Sequence, residues 1–100
     1  MEVKPLKFDE QKPMLHLVPP LFTRVLARIF EYGVGKYWRD SWQGFSLEKA
    51  QEDLIPAAMR HIDQYREGEF LDKESGYPHL GHAAWNLLVV MWHEYKSREM

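Results

Sequence analysis

The feature that most constrains the fold is a helical repeat of apolar residues over most of the chain after Pro20. Apolar side chains recur at three- and four-residue spacing over residues 21–37 and again over residues 47–65. Pro78 then suits the first turn of a final helix that reaches Tyr95 or a little further. No segment is a convincing strand, and no segment is repeated. The pattern predicts an all-α fold, a small bundle of three to four helices.

Proline and glycine divide the chain around these helices. Four prolines in residues 1–20 deny backbone donors and restrict φ, which predicts an extended N-terminal arm followed by one helical domain over residues 21–100. Ser46 is a helix start, and Pro56 interrupts the helix that follows. We expect either a kink there or two helices, with Asp53 capping the second. Residues 68–78 are rich in turn formers and predict a loop.

Length and composition exclude several classes of protein. One hundred residues make one domain, and a domain this small buries a modest share of its surface, so self-association is plausible. With 13 basic and 15 acidic residues the net charge is −2, so no specific nucleic-acid partner is predicted. The chain lacks cysteine, and no apolar run approaches the roughly 20 residues of a membrane span. We expect a soluble, cytoplasmic protein without a membrane partner.

Residues 60–86 concentrate imidazole, carboxylate and guanidinium groups, a mixture typical of metal or phosphate sites. On a wheel of the final helix, a polar stripe spans about 60°, and its members are His79, His82, Asn86 and His93. Six apolar residues centre on nearly the opposite side, namely Leu80, Ala84, Leu87, Leu88, Met91 and Tyr95. This apolar side is therefore predicted to face the core. The histidines can then share a metal or form ordinary hydrogen bonds.

Two further groups of residues are candidates for phosphate and metal chemistry. Glu69 and Asp72 form an E-x-x-D pair that suits magnesium, although a solvated helix end often has the same spacing. Arg60, next to His61, can hold phosphate oxygens in a bidentate fork or pair with a surface carboxylate.

The first interhelical loop places cations among aromatic rings, a composition that can stack a nucleotide base or simply cover the end of the core. Its members are Lys36, Tyr37, Trp38, Arg39 and Trp42.

Several motifs, taken in order, resemble one family of phage proteins. They are KFDEQKP at 7–13, LVPP at 17–20, EYGVGKYWRDSW at 31–42, RH at 60–61, GEFLD at 68–72 and ESGYPHLGHAAWN at 74–86. Together they resemble the N-terminal domain family of phage-associated dATP/dGTP diphosphohydrolases. The resemblance lies in the order of several motifs and covers residues 7 to about 94.

The resemblance implies an all-α nucleotide pyrophosphohydrolase, similar in architecture to MazG-type enzymes. Such an enzyme converts dATP or dGTP to the monophosphate and pyrophosphate with magnesium, or with manganese in its place. The implied partners are a purine deoxynucleoside triphosphate and further copies of the chain, and the implied location is the host cytoplasm. The positions that match the family's motifs are Asp9, Lys12, Lys36, Tyr37, Trp42, Arg60, His61, Glu69, Asp72, His79, His82 and Asn86.

Residue chemistry suggests roles within this matched set. The expected metal ligands are Glu69, Asp72 and His79, and the expected catalytic residues are Glu69, Asp72 and His61. The expected substrate-binding residues are Lys12, Lys36, Tyr37, Trp42, Arg60, His79, His82 and Asn86. Among these, the cations would hold phosphates, and Trp42 or Tyr37 would stack on the base.

One departure from MazG-type enzymes leaves the site open to alternatives. Those enzymes carry E-E-x-x-E before the E-x-x-D, and this chain has no such run. Either His61, His79 or His82 replaces the missing ligands, or a second subunit completes the site, or the protein is a non-catalytic module that binds a nucleotide or a host protein. A phosphohydrolase of the HD type is disfavoured, because the chain has His61-Ile62-Asp63 in place of an adjacent His-Asp pair.

Overall fold

The computed structural model describes residues 12–36 and 41–99, without the side chains at positions 35 and 36. Its three helices are α1 (Pro20–Lys36), α2 (Leu47–Arg66) and α3 (His79–Arg98), with short 3-10 turns at Leu15–Leu17 and Ser41–Gly44. Within the described ranges, β pairing is limited to an isolated bridge between Leu71 and Pro78. The predicted all-α bundle is confirmed, and Pro78 is the N-cap of the last helix, one residue before the first turn in which it was predicted.

Helix α2 begins at a side-chain cap and continues through its internal proline. Ser46 is extended, and its Oγ accepts a hydrogen bond from the backbone N–H of Lys49 at 3.0 Å. The helix then runs unbroken past Pro56. The two-helix alternative is therefore wrong, and the Asp53 carboxylate instead binds the Lys49 ammonium at 2.7 Å. The ring of Pro56 points to solvent, where the loss of one helical hydrogen bond is tolerated.

A small core lies where α3 packs chiefly on α2 and less extensively on α1. Its apolar members are Ile29, Ala50, Ala58, Ala83 and Val89. Alanines on both α2 and α3 allow the two helix axes to approach closely. Close packing of these two helices fixes the start of α3 beside the end of α2, where the polar stretch lies.

The side of α3 that faces the core is opposite to the one predicted. The polar stripe is buried, with His79 at 0%, His82 at 8%, Asn86 at 6% and His93 at 6% exposure. The side predicted to be the core is open to solvent, with Leu80, Leu87 and Met91 between 45% and 47% exposed. The stripe faces inward because its imidazoles find polar partners there, and because Ala83 and Val89 share that side.

The described part of the N-terminal arm is exposed from residue 12 to residue 19 and contains the 3-10 turn at Leu15–Leu17. Residues 1–11 lie outside the description, so the division into arm and helical domain stays a prediction. None of the helices in residues 12–36 and 41–99 combines the length and apolar character needed to cross a bilayer.

Candidate functional site: an imidazole and carboxylate cluster

The loop between α2 and α3 folds back so that its acidic residues lie beside the start of α3. Gly68 and Gly76 adopt φ values of 103° and 80°, which other residues rarely reach. The N–H of Asp72 donates to the carbonyl of Tyr77 at 2.8 Å, and the N–H of His79 donates to the carbonyl of Phe70 at 3.0 Å. These two bonds close the loop around the Leu71 and Pro78 bridge and fix the position of Asp72.

Three imidazoles meet at the junction of the two helices, and we call them the imidazole cluster: His61 from α2, and His79 and His82 from the first turn of α3. The ring of His61 stacks on His82 at 4.7 Å between centroids, with an interplanar angle of 12°, and lies 5.1 Å from the ring of His79. Burial, reinforced by its two imidazole neighbours, lowers the pKa of His61 below its usual value. The cluster therefore favours a neutral His61 ring.

Glu69 holds the buried His79 ring in one tautomer. Its carboxylate oxygen lies 2.6 Å from His79 Nε2, and an ionised carboxylate can only accept, so Nε2–H is the donor. This hydrogen bond, with help from the Lys73 ammonium 3.6 Å away, lowers the pKa of Glu69. In the neutral His79 ring, Nδ1 then carries a lone pair, and it lies 2.8 Å from His61 Nδ1.

Asp72 is held as a carboxylate by the loop that carries it. Its Oδ2 accepts the backbone N–H of Ser75 at 3.0 Å, and its carbonyl accepts the N–H of Gly76 at 2.7 Å. Desolvation alone would raise the pKa of Asp72, but the Ser75 hydrogen bonds and the nearby His82 and His61 rings hold it below its usual value.

Three groups converge closely enough to share one metal ion, and we call them the ligand triad: His61, Asp72 and His79. One ligand atom from each lies within 4.8 Å of the other two. The triad combines two of the predicted metal ligands with a histidine predicted to be catalytic. Glu69 is hydrogen-bonded to Nε2 of His79 and is not a member of the triad, so its predicted role as a direct ligand stays a prediction.

His82 lies at the edge of the triad and is tied to the loop. Its Nε2 is 2.6 Å from Ser75 Oγ and 3.9 Å from Asp72 Oδ2. The same serine oxygen accepts the backbone N–H of Tyr77 at 3.1 Å. Ser75 thus links the carboxylate of Asp72, through its backbone, to the imidazole of His82. Ser75 is not among the site residues predicted from the sequence, although an Asp followed three residues later by Ser-Gly is a recognisable turn signal.

Comparison with known proteins assigns the chain to a family. A family model described as dATP/dGTP diphosphohydrolase, N-terminal, matches residues 3–100. The chain belongs to this family. A relative from Salmonella phage PMBT28, named dATP/dGTP diphosphohydrolase, is 37% identical over 87 residues, which are 87% of this chain and 29% of the relative. The chain thus spans less than a third of that curated relative. No solved structure matches it.

Membership of the dATP/dGTP diphosphohydrolase N-terminal family confirms the resemblance read from the motifs, but several matched positions lie away from the imidazole cluster. The ring of Trp42 packs against Phe30 at 5.7 Å and Trp92 at 4.9 Å, and its carbonyl accepts from His93 Nε2 at 2.8 Å. His93 follows His79 by 14 residues, which is about 21 Å along the helix. Trp42 therefore covers the far end of the bundle in this structure.

Arg60 is exposed on α2 and lines a shallow surface depression together with Met59, Ile62, Asp63 and Arg66. On a helical wheel this depression lies on nearly the opposite side of α2 from His61. Arg60 itself points between the two directions, close enough for its charge to help lower the pKa of His61. Arg60 is thus within electrostatic reach of the cluster.

The remaining matched positions divide between described and undescribed parts of the chain. Asn86 is buried one turn beyond His82 on the inward side of α3, and Lys12 is exposed in the arm. Asp9, Tyr37 and the side chain of Lys36 lie outside the described residues. The predicted roles of Lys12, Lys36, Tyr37 and Asn86 in binding the substrate stay predictions.

Proposed function

We propose that this domain is a metal-dependent nucleotide diphosphohydrolase acting on purine deoxynucleoside triphosphates. The observation that carries the proposal is the ligand triad, a convergent set of two imidazoles and a carboxylate, in a member of the diphosphohydrolase N-terminal family. The relative's name supplies the substrate class. Water attacks the phosphoanhydride between the α- and β-phosphorus atoms, and that P–O–P linkage breaks. The nucleoside monophosphate and pyrophosphate are released.

The residues around the triad support separate parts of this chemistry. A divalent ion held by the triad would supply positive charge that offsets the charge on phosphate oxygens. Arg60, whose charge reaches His61, would hold a further phosphate in a bidentate fork, and Lys12 and Lys36 are proposed to add to it. His61 and Asp72 are partly exposed while His79 is fully buried, so a substrate would approach from the side of His61 and Asp72.

The test is turnover of each of the four deoxynucleoside triphosphates with Mn²⁺ or Mg²⁺, followed by ion-exchange separation of the products. We expect monophosphate and pyrophosphate from dATP and dGTP. Asp72→Asn should lower the rate at least tenfold, because it removes an ionised oxygen from the triad. Asp63→Asn, at an exposed position on the same helix as His61, is the matched control and should leave the rate unchanged. No turnover of any substrate with either ion would refute the proposal.

A second candidate function is a nucleotide-binding module without catalysis of its own. The comparison favours this candidate, because 71% of the Salmonella phage relative lies outside the matched segment. The diphosphohydrolase activity in that relative's name can reside in this unmatched part. Calorimetry distinguishes the two candidates. Binding of dGTP that survives Asp72→Asn, together with no product from either form, would support the module and exclude the enzyme.

We also propose that the protein forms a homo-oligomer through the outer side of α3. The outward residues are Leu80, Leu87, Leu88, Met91 and Tyr95, each between 41% and 64% exposed. The other side of the same helix carries the polar stripe with Ala83 and Val89, and it is buried against α2 and α1. A second copy of α3 would cover the row of large apolar side chains that this packing leaves exposed to water.

A further inference from the structure

We propose that the ligand triad binds a first-row transition metal ion directly, through Nδ1 of His61, Nδ1 of His79 and a carboxylate oxygen of Asp72, with Glu69 as the group that orients His79. Magnesium would not be the resident ion of this site. The inference deepens the proposed function, since it concerns the same cluster, but it is a statement about metal binding that needs no nucleotide and no turnover.

The orientation of His79 is the first support. Glu69 occupies Nε2 at 2.6 Å, and a carboxylate in that position fixes the proton on Nε2. The remaining nitrogen, Nδ1, is left with its lone pair directed at His61. A carboxylate bonded to the outer nitrogen of a metal-binding imidazole is the usual arrangement around protein-bound transition ions, because it fixes the ring and raises its basicity.

The spacing of the two imidazole nitrogens is the second support. His61 Nδ1 and His79 Nδ1 are 2.8 Å apart. Two imidazole nitrogens bound to one ion at about 2.1 Å lie about 3 Å apart when they meet it at a right angle. Only a small outward shift of His61, the less buried of the two rings, would admit the ion. Without an ion, the proton of a neutral His61 on Nδ1 bridges the same gap.

The third ligand is positioned before any ion arrives. Asp72 is held by its bond from the Ser75 N–H and by the closed loop, and one of its carboxylate oxygens lies within 4.8 Å of a ring nitrogen of His61 and of a ring nitrogen of His79. Its neighbour Glu69 is committed to His79 and Lys73, so the triad offers one carboxylate and two imidazoles. Three protein ligands leave coordination positions open on the partly exposed side of His61 and Asp72.

The donor types decide against magnesium. Mg²⁺ is a hard ion that takes oxygen ligands in a nearly ideal octahedron and gives up its water reluctantly, whereas imidazole suits transition ions such as Co²⁺, Fe²⁺, Ni²⁺ and Zn²⁺. Two of the three ligands here are nitrogens. The expectation of a magnesium site built on Glu69, Asp72 and His79 thus gives way to a transition-metal site in which His61 replaces Glu69 as a ligand.

The experiment is a titration of the chelator-treated full chain, free of any polyhistidine tag, with Co²⁺ alone. Cobalt is the probe because its visible absorption reports nitrogen and oxygen ligands directly. We expect one Co²⁺ per chain with a ligand-field band, and no loss of that band in a hundredfold excess of Mg²⁺. Absence of binding, or displacement of Co²⁺ by an equal concentration of Mg²⁺, would overturn the proposal.

Two pairs of variants test the assigned roles. Glu69→Gln should weaken Co²⁺ binding roughly 10- to 100-fold and keep the absorption band, as expected for a group that orients a ligand. Glu67→Gln, an exposed position two residues away, is its control and should bind normally. His61→Gln should lose the band altogether, whereas His16→Gln, at an exposed histidine in the arm, should keep it. Normal cobalt binding by His61→Gln would remove His61 from the site.

Two further measurements distinguish a loss of metal binding from a loss of folding or of catalysis. Circular dichroism of each metal-free variant shows whether α-helix content is retained, and Glu69→Gln, with its side chain at the surface of the loop, remains informative if His61→Gln does not fold. Turnover with Mg²⁺ by a chain that cannot bind Co²⁺ would overturn this inference and leave the proposed function standing. Cobalt binding without turnover of any nucleotide would support this inference and refute the proposed function.

Discussion

Gly81 lies where α3 packs tightly against two side chains of α1. A Cβ atom at this position would lie 2.7 Å from Val25 Cγ1 and 2.9 Å from Ile29 Cδ1, distances that real structures avoid. Overpacking of this kind costs about 1–3 kcal/mol, and alanine regains about 1 kcal/mol of helix propensity. Since the branched Val25 side chain has little freedom to turn away, the overpacking cost should be in the upper half of that range. We therefore expect Gly81→Ala to lower the free energy of unfolding by about 1–2 kcal/mol after the gain in helix propensity.

Urea denaturation followed by circular dichroism measures this loss. Gly33→Ala is the matched control, because Gly33 lies within α1 and a Cβ there would meet nothing within 4 Å. That variant should be unchanged or more stable by up to about 1 kcal/mol. Equal stability of the two variants would show that α1 and α3 do not approach as closely as the structure has them.

At the residue scale, the structure also shows contacts within the site that the sequence does not predict. The sequence identified His61, Asp72 and His79 as separate candidates, and the structure brings them together. It did not indicate that Glu69 would be used by His79, ten residues later, because that contact depends on a loop closed by backbone hydrogen bonds. Spacing on one helix cannot report such a contact, since the partners belong to different elements.

Helix α2 shows how much a local signal can predict. The sequence predicts a helix start at Ser46, and its hydroxyl oxygen accepts a hydrogen bond from the Lys49 N–H at 3.0 Å. Removal of this cap leaves a backbone donor unsatisfied and costs about 1 kcal/mol. We expect Ser46→Ala to lower the free energy of unfolding by that amount, measured by denaturant unfolding.

Ser97→Ala is the comparison for the cap. Ser97 is exposed near the end of α3 and donates to the Glu94 carbonyl, a bond that water can replace. Its removal should change stability by less than about 0.5 kcal/mol. A loss for Ser46→Ala no larger than that for Ser97→Ala would mean that the cap does not hold the start of α2.

Helix α3 shows where the same kind of reading fails. The wheel separated its polar stripe from its apolar side correctly, but it could not say which of the two sides would meet α2. The direction is set by partners on other elements, since His79 binds Glu69 and His93 binds the carbonyl of Trp42. Burial of polar groups is favourable only when such partners exist, and no pattern within α3 records them.

At the scale of the whole molecule, the described residues include two groups of large apolar side chains that are exposed to solvent. The outer side of α3 is exposed, and so is a second apolar group at the start of α1 and in the turn before it, namely Leu15, Leu17, Val18, Leu21 and Phe22. Single exposed apolar residues are ordinary, but a row of them along one helix marks a contact surface. The polar stripe of α3 is thus used within the chain, and the apolar row is the surface proposed to pack between chains.

This division predicts that oligomerisation depends on the apolar row and not on the metal site. We expect the protein to sediment as a dimer or larger species at micromolar concentration, and Leu87→Glu combined with Met91→Glu to shift it to a monomer. Two charges brought into an apolar contact without partners disrupt it by desolvation and repulsion.

Gln51→Glu, at an exposed position on α2, adds charge outside the row and should leave the assembly intact. The double variant should still bind Co²⁺, because Leu87 and Met91 point away from the imidazole cluster. A wild-type chain that sediments as a monomer over the whole accessible concentration range would contradict the prediction.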